Sequence, residues 1–122
     1  MTTLEMAYAL SALVGVGIIF IGARFLLAPS IAATGYGVVG IGAYLSAKGV
    51  RDIVSGLFVF VLIAGGQPRA LGWIMASAAL IPVGDALIVL RNGGSRVTAF
   101  GIHGATAVAM LVIAGLLLVS PI

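Results

Sequence analysis

Four long apolar stretches separated by short polar clusters organise the chain. They run from about Met6 to Leu27, Tyr44 to Ala64, Ala70 to Leu90 and Val97 to Val119. About 20 apolar residues cross the roughly 30 Å of bilayer hydrocarbon at 1.5 Å per helical residue, so each stretch is predicted to be a membrane-spanning helix. The second is the weakest, because its fully apolar part, Ile53 to Ala64, is too short to cross without its polar start. Gly65-Gly66-Gln67-Pro68-Arg69 and Arg91-Asn92-Gly93-Gly94-Ser95-Arg96 punctuate the pattern as turns, since Gly, Pro and Asn break helices by φ freedom or a missing N–H. Both turns are short. The pattern therefore predicts an all-α fold, an integral membrane four-helix bundle with antiparallel neighbouring spans, as one transmembrane domain over residues 1–122.

The connection from Ala28 to Ala43 is longer, carries Gly35, Gly37, Gly40 and Gly42, and is still fairly apolar. Backbone of this kind cannot lie unpaired in lipid. It either lies at the interface, with Tyr36 and Tyr44 at headgroup depth, or folds back as a short re-entrant lid over a cavity.

Composition sharpens the class. The 122 residues are 62% hydrophobic and 7% charged, against roughly 25% charged in a soluble domain, so the solvent of this surface is lipid. The net charge of +3 rests on dispersed cations that form no basic patch, which excludes nucleic acid as a partner. Absent cysteine removes disulfides, thiolate nucleophiles, iron–sulfur ligation and a lipoprotein anchor. Met1-Thr2-Thr3-Leu4-Glu5 lacks the positive region of a signal peptide, so the first hydrophobic segment is expected to be retained.

The cations also predict orientation. Arg24, Lys48, Arg51, Arg91 and Arg96 fall at the 1–2 and 3–4 connections, and Arg69 alone lies on the other side with the acidic terminus. Cytoplasmic loops hold the excess of Lys and Arg, so both connections should be cytoplasmic and both termini external. Small residues allow close helix approach in membranes. Gly15 and Gly22, Gly72 and Ala76, and Ala105 and Ala109 are the expected packing stripes. Val50-Arg51-Asp52 faintly echoes Val83-Gly84-Asp85, a match too short to indicate duplication.

Depth singles out the candidate chemistry. Arg24 lies five residues before Pro29, Asp52 four after Lys48, Asp85 six before Arg91 and His103 seven after Arg96, which puts them roughly 6–11 Å below the turns. With Arg51 they form one layer to which all four helices contribute. An isolated charge at a helix centre costs on the order of 2.5–3.5 kcal/mol, so such groups face inward and pair. Arg51 and Asp52 are adjacent, about 100° apart around the helix, so their partners are expected on other helices. Arg24 with Asp52 and Arg51 with Asp85 is one neutral arrangement, and it leaves His103 free to exchange a proton. Bland readings stand beside these: Arg24 and Arg51 snorkelling to headgroups, Asp52 capping, His103 packing between Gly101 and Gly104. Asp85 is harder to dismiss, because a short acid cannot snorkel far and Pro82 three residues earlier frees a carbonyl and kinks the span.

The other half of the bundle offers only Ser11, Ser77, Thr106 and Ser120, too little for a conduction path. A cytoplasmic-side pocket with an apolar base and an ionisable rim suits a lipophilic molecule with one polar or reactive end.

Gly22-x-Arg24-Phe25 with Pro29, then Lys48-Gly49-Val50-Arg51-Asp52, Pro82-Val83-Gly84-Asp85 and His103-Gly104 resemble a domain-of-unknown-function family of small four-span membrane proteins, over nearly the whole chain. The resemblance implies the fold and the membrane location. Some fungal relatives look similar to small membrane hydrolases that open epoxides in polyketide pathways. Epoxide opening needs one carboxylate to activate water, one carboxylic acid to protonate the leaving oxygen, and a cation that orients them. Asp52, Asp85 and Arg24 or Arg51 supply those types, with His103 as an alternative base, and the sequence does not say which Asp is the acid.

The leading expectation is an acid/base hydrolase or isomerase acting on a lipophilic small molecule. The alternatives are a proton-coupled exporter or binding protein and a structural membrane protein with register-fixing ion pairs. No cofactor is expected, and nearby arginines oppose a metal on the carboxylates and histidine. The expected partners are the lipid bilayer and a lipophilic ligand, with a homo-oligomer as a further option.

Overall fold

The computed structural model describes residues 1–120, and among these residues helices joined by short turns are the only regular structure, with no strands. Helix α1 spans Thr3–Leu27, α2 Pro29–Tyr36, α3 Ala43–Ala64, α4 Pro68–Ala78, α5 Leu80–Arg91 and α6 Ala105–Val119, and a π-helical segment, Val97–Gly104, leads into α6. Three continuous rods, Thr3–Leu27, Pro68–Arg91 and Val97–Val119, are long and apolar enough to cross a membrane. The 22-residue α3 is long enough, but Lys48, Arg51 and Asp52 interrupt its apolar run.

Local chemistry sets the element ends. Thr2 Oγ1 accepts from the Glu5 N–H at 3.1 Å and Glu5 Oε2 accepts from the Thr2 N–H at 2.9 Å, a capping box that starts α1. Pro82 has no N–H for the Ala78 carbonyl, and the Pro68–Arg91 rod accordingly divides at Ala79 into α4 and α5. After α3 the Gly66 and Gln67 N–H groups reach back to the Ile63 and Leu62 carbonyls, with Gly66 at φ 62°. This Schellman closure turns the chain into α4.

Helices α1 and α3 form an antiparallel hairpin in which Gly15 meets Gly56 and Gly22 meets Gly49. A Cβ on Gly22 would lie 2.5 Å from the Gly49 carbonyl oxygen, and one on Gly49 2.6 Å from that of Gly22. Backbone touches backbone at both crossings. The small-residue stripe expected on α1 thus has its complement on α3, at the same seven-residue spacing. In the second hairpin α4 packs on α6, and a Cβ on Gly72 would lie 2.9 Å from the Leu118 side chain. The stripe expected at Ala105 and Ala109 is not used, because both are exposed; Ala107, Met110, Ile113, Ala114 and Leu117 are the buried face of α6. Helix α6 starts from π-helical turns, so counting along an ideal α-helix from the preceding turn misplaces its faces.

The hairpins meet at one end only. There Ala7, Val59, Leu71, Met75, Met110, Ile113 and Leu117 form the main apolar core. At the other end two smaller clusters remain separate, Phe25, Ala32, Ala33 and Leu45 on the first hairpin and Ala86, Val89 and Ala99 on the second. Val38 packs against both, so the connection between α1 and α3 acts as a wedge. This segment is neither an open loop nor wholly superficial: Tyr36 turns inward, while Tyr44 stays 87% exposed.

Gly37 sets the wedge. Its φ is 85°, and a Cβ there would lie 2.7 Å from Thr98 Cγ2. A left-handed conformation costs a non-glycine residue roughly 1–2 kcal/mol before any clash. Gly37→Ala is therefore expected to loosen α2 and lower stability by at least about 1 kcal/mol. Faster amide exchange in Ala32–Tyr36, with exchange at Leu71 and Met75 unaltered, is the signature; uniform exchange in both regions would contradict it.

Candidate functional site: a polar-ended cavity between the hairpins

Holding the hairpins apart leaves a cavity of about 370 Å³ between them, within the usual range for small-molecule sites. Arg24, Tyr36, Asp52, Asp85 and His103 line one part of it, and Val14, Ile18, Val59, Met75 and Met110 are among the mostly apolar residues that line the rest. Arg24 to Val14 and Asp85 to Met75 are each ten residues, about 15 Å along a helix. Asp52 to Val59 and His103 to Met110 are each seven, about 10 Å. The four walls therefore agree on one polar end and a long apolar body.

Tyr36 organises the polar end. Its hydroxyl donates a short hydrogen bond to Asp85 Oδ2. Its ring meets Phe25 edge-on, with centroids 5.6 Å apart, and lies 4.3 Å from the His103 ring. Its backbone carbonyl is 2.8 Å from His103 Nε2. A carbonyl only accepts, so Nε2 carries a proton and Nδ1 is the nitrogen left to act as acceptor when the ring is neutral. Among the described residues no buried side-chain nitrogen or oxygen lacks a partner. Nδ1, which has none, is therefore not sealed off. His103 lies in the last turn of the π-helical segment, a rare geometry that often marks functional sites in helices.

The charges pair differently from the expected arrangement. Asp52 Oδ2 accepts from Lys48 Nζ at 2.8 Å, the only ion pair among the described residues. Its partner is thus four residues back on the same helix, not on another. Lys48 Nζ also sits 4.2 Å from the Tyr36 ring centroid and 4.8 Å from that of Phe25, favourable cation–π placements. Neither Arg24–Asp52 nor Arg51–Asp85 forms. Arg51 is exposed and does not line the cavity, because the helix turns it about 100° away from Asp52. Arg24, Asp52, Asp85 and His103 are brought together; Tyr36 and Lys48 are the members that sequence reasoning missed. Lys48 had a readable signal, its i, i+4 spacing to Asp52. Tyr36 had none, since the fold of the connection alone decides where it points.

Beyond the polar end, three of the four hydroxyls bond back to their own helices: Ser11 to the Ala7 carbonyl at 2.7 Å, Thr106 to Ile102 at 2.6 Å and Ser120 to Leu116 at 2.6 Å. Hydroxyls satisfied in this way add no polar track through the main core.

Burial, and then the hydrogen bond to Asp85, push the Tyr36 phenol well above its ordinary value. Protons are held more tightly in the folded state, so this contribution to stability is present below the unfolded value of about 10 and is lost as pH rises above it toward the folded value. A tyrosinate absorbance titration of the wild type minus Tyr36→Phe should show no ionisation of Tyr36 at pH about 10, followed by destabilisation of the wild type at higher pH. Full ionisation of Tyr36 near pH 10 would contradict its placement.

Fold and site together define a small all-helical membrane protein with an apolar cavity whose one end is polar and ionisable. The chain belongs to the family described as a domain of unknown function, DUF4267, whose pattern matches residues 15–117. No curated protein and no solved structure matches the chain.

Proposed function

We propose that this chain is a four-span membrane enzyme that performs acid/base chemistry, a hydrolysis or isomerisation of the epoxide-opening type, on a lipophilic small molecule held in the cavity. One observation carries the reading: Tyr36, Asp52, Asp85 and His103, from four different elements, converge at one end of an otherwise apolar cavity. Intramembrane ionisable groups are costly and mark functional sites by default. A cavity that presents both aspartates at one end is what an acid/base pair needs. The apolar core beyond the cavity favours an enzyme over a conduit. The cation distribution favours cytoplasmic 1–2 and 3–4 connections and external termini.

The pairings suggest a division of labour. Asp52, salt-bridged by Lys48, takes a proton from water as the water oxygen attacks the epoxide carbon. The carbon–oxygen bond breaks, and the leaving oxygen takes a proton from the Asp85 carboxylic acid, which Tyr36 holds in place. The products are a diol, a protonated Asp52 and an ionised Asp85, and a proton moving between them by way of water restores the start. His103 Nδ1 is an alternative base.

The test is to incubate purified protein with a lipophilic terminal epoxide in oxygen-18 water. The reading expects a diol carrying one labelled oxygen, formed in proportion to protein. No conversion of this or an isomerisable lipophilic substrate would sink it.

A further inference from the structure

A shallow groove between the end of α1 and the start of α2 is lined by Arg24, Ser30, Ile31, Thr34 and Gly35. Two of these, Arg24 and Gly35, also line the cavity, so groove and cavity share a wall at that point. The groove opens beside strongly exposed apolar side chains, Ile31 at 66% and Leu27 at 85%, which is the surface a protein turns to lipid. Gly35 keeps the wall low: a Cβ built on it meets nothing within 4 Å. Of the charges at the polar end, Asp52 is answered by Lys48 and Asp85 by the Tyr36 hydroxyl. Arg24 has neither an ion-pair nor a hydrogen-bond partner among the described residues. Its guanidinium offers five donors in a fork that fits a carboxylate.

Resting on the cavity reading above, we propose that ligands enter sideways from the lipid through this α1–α2 groove, and that Arg24 selects amphiphiles bearing a carboxylate. The carboxylate stays at the mouth on Arg24, away from Asp85, while the chain passes the acid/base layer into the apolar body. The reacting centre is then the part of the chain just inside the head.

The test measures binding of dodecanoate, dodecanol and dodecylammonium to the full chain in phosphatidylcholine nanodiscs. A charge-assisted contact predicts about tenfold tighter binding of dodecanoate than of dodecanol. Arg24→Gln should bring dodecanoate to the level of dodecanol, and Arg24→Lys should retain part of the preference. The series Gly35→Ala, Gly35→Leu, Gly35→Phe should slow association progressively, since the added atoms fill open space without disturbing the helix. Equal binding of the three probes, a preference for dodecylammonium, a preference for dodecanoate that survives Arg24→Gln, or unchanged association in Gly35→Phe would each overturn the inference while leaving the cavity in place. No binding of any probe would remove the cavity reading itself, and this inference with it.

Discussion

Asp85→Asn is expected to lower turnover of a lipophilic epoxide by about 10²–10⁴-fold, the usual contribution of a positioned general acid or base, with little change in stability. The amide has nearly the shape of the carboxyl group, and its oxygen can still accept from the Tyr36 hydroxyl that now binds Asp85 Oδ2. Helix α2 therefore stays docked, and the cavity keeps its form. What is lost is the capacity to give up and regain a proton at that place. Arg51→Gln is the matched control, because Arg51 is exposed and outside the cavity; its turnover should stay near that of the wild type. Steady-state kinetics alongside thermal unfolding separates the cases. An Asp85→Asn protein with full turnover would remove Asp85 from the chemistry, and one that unfolds would mark it as structural.

The largest effect on stability is expected at the crossing of α1 and α3. Gly22→Leu puts its first side-chain carbon 2.5 Å from the Gly49 carbonyl oxygen and 2.9 Å from the Ile53 nitrogen. These are backbone atoms and cannot rotate away, so the helices must separate along a contact built on backbone approach. Overpacking costs typically 1–3 kcal/mol and sometimes more, and here the loss should reach about 3 kcal/mol. Substrate turnover should fall with it, because both helices are cavity walls. Gly17→Leu sits only five residues from the Gly22 crossing on the same helix, but a Cβ there meets nothing within 4 Å, so it should be close to neutral. Denaturation in mixed micelles that finds the two variants equally stable would contradict the close approach.

The fold was legible where the physics is local. Long apolar runs need lipid, Pro82 cannot complete a helical hydrogen bond, and the glycine-rich clusters turn the chain; each is visible residue by residue. The depths of Arg24, Asp52, Asp85 and His103 were equally readable, because helix rise converts sequence distance into height. Height does not give azimuth, however. Arg51 shares the level of Asp52 but points elsewhere, and the partner of Asp52 was the same-helix Lys48 rather than a residue across the bundle. The pairing of Gly15 with Gly56 and Gly22 with Gly49 is also written in the sequence, as the seven-residue glycine spacing that α1 and α3 share. Tyr36 and the π-helical approach to His103 were not legible. The first depends on where α2 wedges between two hairpins, and the second on a backbone variation with no side-chain signature.

The most direct measurement of the central claim is an experimental structure of the full chain with a long-chain 1,2-diol, the product the proposed reaction would release. The diol oxygens should lie within hydrogen-bonding distance of Asp52 and Asp85, with the chain against Ile18, Met75 and Met110. Diol bound only on the outer surface, with the space between the hairpins closed by side chains, would contradict it.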